Sequence, residues 1–193
     1  MNAAALVVGP REGQGAILFE LAHALGLMPV MQYRGVAEAE RLAEHSPLTF
    51  FLFAEVDDVR RLAEPAQAIR FSAGRRVRFS PLIYFTAGPS METLKACISM
   101  GFDDVIAGPL RPGQVGPRLQ RQVETELVYY QTSTYFGPDR RSRLDDGEDD
   151  RERRGGGQFR RLEIVRHIAT GVNVLRDIRH RPPPVASHDM VLI

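Results

Sequence analysis

Five short apolar runs, Ala4–Val8, Pro29–Gln32, Leu48–Phe53, Leu82–Thr86 and Asp104–Ala107, alternate with longer segments of helical periodicity. Alternation of this kind is the mark of βαβ units, because a parallel strand needs a crossover helix to reach its neighbour. ALVV, TFFLF and LIYF are apolar on consecutive residues. Strands covered by helices on both faces read this way, since neither face needs polar residues. The helical segments are Gly13–Leu27, Gly35–Glu44, Asp57–Phe71 and Pro89–Gly101. In the first, Ile17, Leu18, Leu21, Ala24 and Leu25 recur at three- and four-residue spacing and form one apolar stripe. In the fourth, Ser90 stands where an N-cap belongs, Leu94, Cys97 and Ile98 face inward, and Gly101 supplies the left-handed stop. A fifth helix is expected from near Pro112 through Val115, Leu119, Val123, Leu127 and Val128.

Right-handed crossovers leave few topologies for five such units, and the flavodoxin-like order 2-1-3-4-5 is the expected doubly wound, five-stranded parallel α/β sheet. This unit is assigned to residues 1–130. From 131 to 158 the chain becomes QTSTYFGPDRRSRLDDGEDDRERRGGGQ, dense in both charge signs and nearly empty of bulky apolar residues after Phe136. Burial there cannot offset ordering entropy, so a flexible charged linker is expected. Over 159–181, Leu162, Val165, Ile168, Ala169, Val172, Leu175 and Ile178 recur at helical spacing, before Pro182-Pro183-Pro184 and a polar tail to residue 193. The expectation is one amphipathic helix, packing back on its own domain, pairing with a second copy or capturing a partner. Leu162, Val165, Ile168, Val172 and Leu175 would be its contact seam.

A chain of 193 residues with 44% hydrophobic and 25% charged residues and a net charge of +1 fits one globular core plus an appendage. That charge balance gives no support for a nucleic-acid partner. The N-terminus has no basic region before its short apolar run, and no stretch approaches the ~20 apolar residues of a membrane span, so a cytoplasmic protein without a membrane role is expected. The lone cysteine, Cys97, excludes a disulfide framework and a cysteine metal site within one chain. His23, His45, His167, His180 and His188 are dispersed, and no phosphate-loop or HExxH pattern is present. The reading is therefore a non-enzyme without cofactor or metal. Gly9-Pro10-Arg11-Glu12-Gly13-Gln14-Gly15, which follows the first run, reads as a loop.

SPLIYFTAGPSMETLKACISMGFDDVIAGPLRPGQV is the most specific segment of the chain. Thr86-Ala87 at the strand end, Met100-Gly101-Phe102-Asp103-Asp104 at the helix exit and Pro109 resemble, in kind and spacing, the fourth strand to fifth helix of two-component response-regulator receiver (CheY-like) domains. The resemblance extends from residue 1 to about 130. It implies signalling through protein contacts, with phosphorylation as the switch. That chemistry needs an aspartate ending the third strand, two acidic residues after the first strand to hold Mg²⁺, and a lysine after the fifth. Here the acidic pair is replaced by Gly9-Pro10, the acceptor falls on Phe53 or Ala54, and Gly108 stands where the lysine belongs. Glu55 lies one or two residues beyond the acceptor position, where a carboxylate can mimic a phosphorylated aspartate, and Thr86 survives of the reactive set. The expectation is a pseudo-receiver that takes no phosphate.

Arginine clusters supply the alternative. Arg60, Arg61, Arg70, Arg75, Arg76 and Arg78 surround the long connection before the fourth strand, and Arg140, Arg141, Arg143, Arg151, Arg153 and Arg154 lie in the linker. Guanidinium groups grip phosphates bidentately and stack on purines, so Arg75, Arg76, Arg78, Arg140, Arg141 and Arg143 are candidate ligands for cyclic di-GMP. The competing reading is a solvated surface balanced by Asp145, Asp146, Glu148, Asp149 and Asp150. Tyr135-Phe136-Gly137-Pro138-Asp139-Arg140-Arg141 is either a docking segment or an aromatic cap on the domain edge.

Overall fold

The computed structural model describes residues 3–139 and 158–180. Strands β1 (Ala4–Val8), β2 (Val30–Gln32), β3 (Thr49–Phe53), β4 (Leu82–Thr86) and β5 (Asp104–Ala107) form one parallel sheet in the order 2-1-3-4-5, the flavodoxin-like arrangement expected. Helices α1 (Gln14–Ala24), α2 (Val36–His45), α3 (Ala63–Arg70), α4 (Arg75–Arg78), α5 (Met91–Ser99) and α6 (Pro112–Gln120) connect the strands and continue beyond β5. The consecutive apolar residues are explained by the pleat, which sends neighbours to opposite faces. Ala5, Val7, Phe50, Leu52, Ile83 and Phe85 enter the core shared with α1 and α6. Leu6, Val8, Phe51, Phe53, Leu82 and Tyr84 enter the core on the other face.

Local signals place the ends of α5 as expected. The Ser90 side chain accepts a hydrogen bond from the Thr93 N–H at 3.0 Å, capping α5. Cys97 is buried, whereas Ile98, expected inward, is 43% exposed. Gly101 has φ +80°, and a Cβ there would collide with the Phe136 carbonyl. No described helix is long and apolar enough to cross a membrane.

The region after α6 differs from the expectation. The helix stops at Gln120, Glu124 takes φ 53°, and residues Glu126–Gln131 form strand β6. A run of Leu127, Val128, Tyr129 and Tyr130 favours the pleated backbone, where β-branched and aromatic side chains pack well. Strand β7 (Phe136–Pro138) occupies the start of the expected linker. Residues Phe159–His167 and Gly171–His180, expected as one amphipathic helix, are strands β8 and β9 of a hairpin. Three residues link them, and Gly171 accepts φ +85° at the turn. Together these strands form an antiparallel sheet in the order β7-β6-β8-β9.

Buried polar chemistry explains why the helical period misleads. Inward positions of β8 are Leu162, Ile164 and Arg166, so the strand alternation contains a charged residue on its buried side. Arg166 is fully buried because the α/β unit offers it partners. Its Nη2 donates to Asp103 Oδ1 at 2.7 Å, its Nε donates to the Phe79 carbonyl at 2.7 Å, and it also donates to the Tyr129 hydroxyl. Arg70, at the end of α3, donates to Asp103 Oδ2 at 2.5 Å and to the Gly101 and Ser80 carbonyls. Asp103 also accepts from the Leu82 N–H and from the Tyr129 hydroxyl. Burial acts to raise the Asp103 pKa, but Arg166 and Arg70 outweigh it and hold the carboxyl at about 2.

A small aromatic core completes the joint. Phe79 packs on Tyr129 and Phe136 at ring separations of 5.6 and 5.2 Å, with Leu162, Ile164 and Val172 around them. Of the expected helix seam, Leu162 and Val172 enter this core, Val165 is half-buried and Ile168 packs against the core shared with α1 and α6. Leu175 sits at the register shift in β9 and is 54% exposed. The segment Tyr135-Phe136-Gly137 docks within the molecule: Gly137 and Gly101 approach so closely that a Cβ on Gly137 would lie 2.6 Å from the Gly101 Cα.

Candidate functional site

The strands of the parallel sheet end together, and the loops beyond β1, β3, β4 and β5 bring Gly9, Ala54, Thr86 and Gly108 to one edge. Gly9 follows β1 directly and lies against Ala54, whose N–H donates to the Val8 carbonyl at 2.9 Å. A Cβ on Gly9 would lie 2.9 Å from the Ala54 Cβ, so the Gly9 backbone packs directly on the Ala54 methyl group. Phe53 points away, into the opposite core, where it meets Phe102 edge-on at 4.7 Å. Ala54 is therefore the residue beside the β1 loop, and it offers neither a nucleophile nor a charge. Pro10 and Arg11 are exposed, and Gly108 joins Pro109 through a cis peptide bond.

Glu55 fills this edge. Thr86 Oγ1 donates to its Oε1 at 2.5 Å, and the Ala87 N–H donates to its Oε2 at 3.0 Å. From the other side, the Gln14 amide reaches Oε2 at 3.5 Å while its Oε1 accepts from the Glu55 N–H. One half-buried carboxylate thus ties the start of α1, the end of β3 and the β4–α5 loop together. Burial first, and the Glu55 charge second, push the nearby Tyr84 phenol above its usual pKa. Asp57 and Asp58 remain outside the cluster: Asp58 caps the following 3₁₀ turn by accepting from the Arg60 N–H at 3.0 Å. Among the described residues no group of three or more His, Cys, Asp or Glu is arranged to hold a metal.

Beside this edge, a cleft of about 510 Å³ opens between α1 and β2, lined by Arg11, Phe19, Gln32 and Arg34 among others. Gln32 donates from Nε2 to the Gly9 carbonyl at 2.7 Å, which anchors the β1 loop. Sequence reasoning missed Gln14 and Gln32 because uncharged amides carry no motif.

The arginines expected to act together do not converge. Arg76 donates to the Ala43 carbonyl at 2.6 Å at the end of α2, Arg75 is exposed, and Arg78 lies 4.8 Å over the Phe136 ring. Arg70 is withdrawn entirely into the Asp103 junction. Arg140, Arg141 and Arg143 lie outside the described residues.

No protein-family model matches the chain, and no curated protein matches it. Solved structures similar to it include the receiver domain of the sensor histidine kinase PA1611 from Pseudomonas aeruginosa PAO1, with a TM-score of 0.46 and 24% identity over 63% of this chain and 97% of that one. The chemotaxis protein CheY4 of Vibrio cholerae has a TM-score of 0.49 and 19% identity over 63% of this chain and 98% of its own. A CheY-like protein, tadZ, from Pseudomonas aeruginosa PAO1 has a TM-score of 0.48 and 11% identity over 61% and 98%.

Proposed function

We propose that this receiver-fold chain is a two-component-type signalling module that works without phosphorylation, acts through protein contacts and performs no catalysis of its own. The observation that carries the reading is the Glu55 carboxylate held between Thr86 Oγ1 and the Ala87 N–H. A phosphoryl group on an aspartate at the end of β3 would place negative charge in this same space. Charge-assisted hydrogen bonds from a hydroxyl and a backbone N–H are the interactions such a group makes, and a carboxylate makes them permanently. With Ala54 and Gly9-Pro10 at the edge, no side chain accepts phosphate and none recruits Mg²⁺. The β4–α5 loop is then held in one conformation irrespective of a kinase, and the surface it shapes is always presented.

The reading is tested by treating the protein with acetyl phosphate and with beryllofluoride, each with Mg²⁺, and measuring intact mass and ¹⁹F signals. No adduct is expected; a stoichiometric one would overturn it. In parallel, Glu55→Ala is compared with the parent by hydrogen exchange across residues 86–91. Loss of two charge-assisted hydrogen bonds, each worth about 1.5–3 kcal/mol, should speed exchange in the loop by at least about tenfold. Unchanged exchange would show that Glu55 does not hold the loop.

A further inference from the structure

At the end of the molecule opposite Glu55, the antiparallel sheet aligns one residue from each strand in a single row. Phe136 of β7 pairs with Gln131 of β6, Gln131 with Arg160 of β8, and Arg160 with Arg179 of β9. Directly opposed residues on antiparallel strands project to the same face. That face is turned toward α4, because Phe136 packs on Phe79 and carries the Arg78 guanidinium 4.8 Å above its ring. Three guanidinium groups, Arg78, Arg160 and Arg179, therefore belong to one rim.

Their charge is not balanced among the described residues. Asp177 takes Arg160 in a bidentate pair, with Nε to Oδ1 at 2.7 Å and Nη2 to Oδ2 at 2.6 Å. Arg160 Nη1 also reaches Gln131 Oε1 at 3.4 Å, so its orientation is set before any ligand arrives. Among the described residues the Arg78 side chain has no carboxylate partner, and its Nε is buried without an acceptor. Arg179 is exposed, and among the described residues its charge is felt by the same Asp177 that Arg160 already holds. A half-buried guanidinium whose Nε lacks an acceptor, on the same rim as a second guanidinium that repels it, is an arrangement that an anion relieves. Three arginines against one aspartate leave two positive charges, which suits a ligand with at least two negative charges. Planar donor forks favour phosphate oxygens over a single spherical ion.

We infer that the rim formed by Arg78, Arg160 and Arg179 binds the phosphates of a nucleotide-type anion. The site uses no atom of the Glu55 cluster, so it stands or falls separately from the proposed signalling mode. It also departs from the arrangement that the sequence implies, in which Arg75, Arg76 and Arg78 act as a set: only Arg78 of the three belongs to it.

The test is isothermal titration calorimetry of the full chain with cyclic di-GMP and, separately, with inorganic pyrophosphate. Arg78→Gln, Arg179→Gln and the exposed control Arg61→Gln are titrated alongside. Micromolar binding of at least one probe is expected, weakened about tenfold or more in Arg78→Gln and Arg179→Gln and unchanged in Arg61→Gln. Pyrophosphate binding as tightly as the dinucleotide would assign recognition to the phosphates alone; preference for the dinucleotide would add the nucleoside. Because Arg179 is exposed, its variant keeps the test decisive even if Arg78→Gln misfolds. Absence of heat with both probes at several temperatures, or binding indifferent to both substitutions, overturns the inference. Binding that persists in Glu55→Gln separates this site from the signalling reading.

Discussion

Replacing Asp103 with asparagine removes the only carboxylate that the described residues place at the joint between the two sheets and deprives the buried Arg70 and Arg166 of the counter-ion they share. Side-chain exposures of 1% for Asp103 and Arg70 and 0% for Arg166 mean that water cannot substitute. Two routes give the magnitude. Breaking a buried ion pair by removing one partner costs about 3–5 kcal/mol. Independently, a carboxyl held at about 2 against an ordinary 3.8 reports roughly 2.5 kcal/mol in favour of the charged form. An amide is a poorer substitute than the protonated acid, since it turns an N–H toward donors, so the second figure is a floor. The sign with pH follows from the direction of the shift. A depressed folded-state pKa contributes stability that is complete above the unfolded value near 4 and is lost as pH falls toward about 2. Urea unfolding at pH 7 should therefore place Asp103→Asn about 3–5 kcal/mol below the parent. The gap should narrow by roughly 1 kcal/mol at pH 3, where the parent carboxylate has lost about half its advantage. A variant within 1 kcal/mol of the parent at pH 7, or a gap that ignores pH, would refute the view that Asp103 neutralises this junction.

Other expectations follow from the same contacts. A chain ending at residue 130 loses Arg166 and the strands that cover Phe79; it should unfold at lower urea than the full chain and bind a hydrophobic dye, whereas equal midpoints would mean that the α/β unit is self-sufficient. Gly137→Ala places a methyl group against the Gly101 Cα and the Tyr135 hydroxyl and should cost on the order of 1–3 kcal/mol in chemical denaturation. Ser90→Ala removes the α5 cap and should cost about 1 kcal/mol, while Ser90→Asp should be close to neutral. Leu175→Ser, at an exposed bulge, should change stability by less than about 0.5 kcal/mol by the same assay.

How far these features were legible in the residues depends on the range over which each is decided. Ser90 and Gly101 announce the ends of α5 through chemistry contained within a few residues, and the two-faced burial of β1, β3 and β4 is written in their unbroken apolar runs. That Ala54, Gly9-Pro10 and Gly108 stand at the strand ends is likewise a matter of residue identity alone. The hairpin of β8 and β9 is different. Leu162, Val165, Ile168, Val172 and Leu175 fit a helical stripe, and Arg166 looks like solvent-facing charge between them. Two signals did point the other way: the β-branched residues Ile164, Val165, Val172, Val174 and Ile178, and the glycine after Ala169-Thr170. Local preference could not rank these against the stripe.

What the sequence by itself determined is the class of the α/β unit, the positions of its strands and the residue identities at their ends, because periodicity, capping and residue identity are local properties. Only the tertiary structure decided that Glu55 meets Thr86 and Gln14, that Arg70 and Arg166 are core residues, and that the C-terminal segment is a sheet. Each of these depends on partners far along the chain: 63 residues separate Arg166 from Asp103. A guanidinium is free to enter the interior only where a carboxylate and carbonyl oxygens already wait for it, and no window around Arg166 contains them.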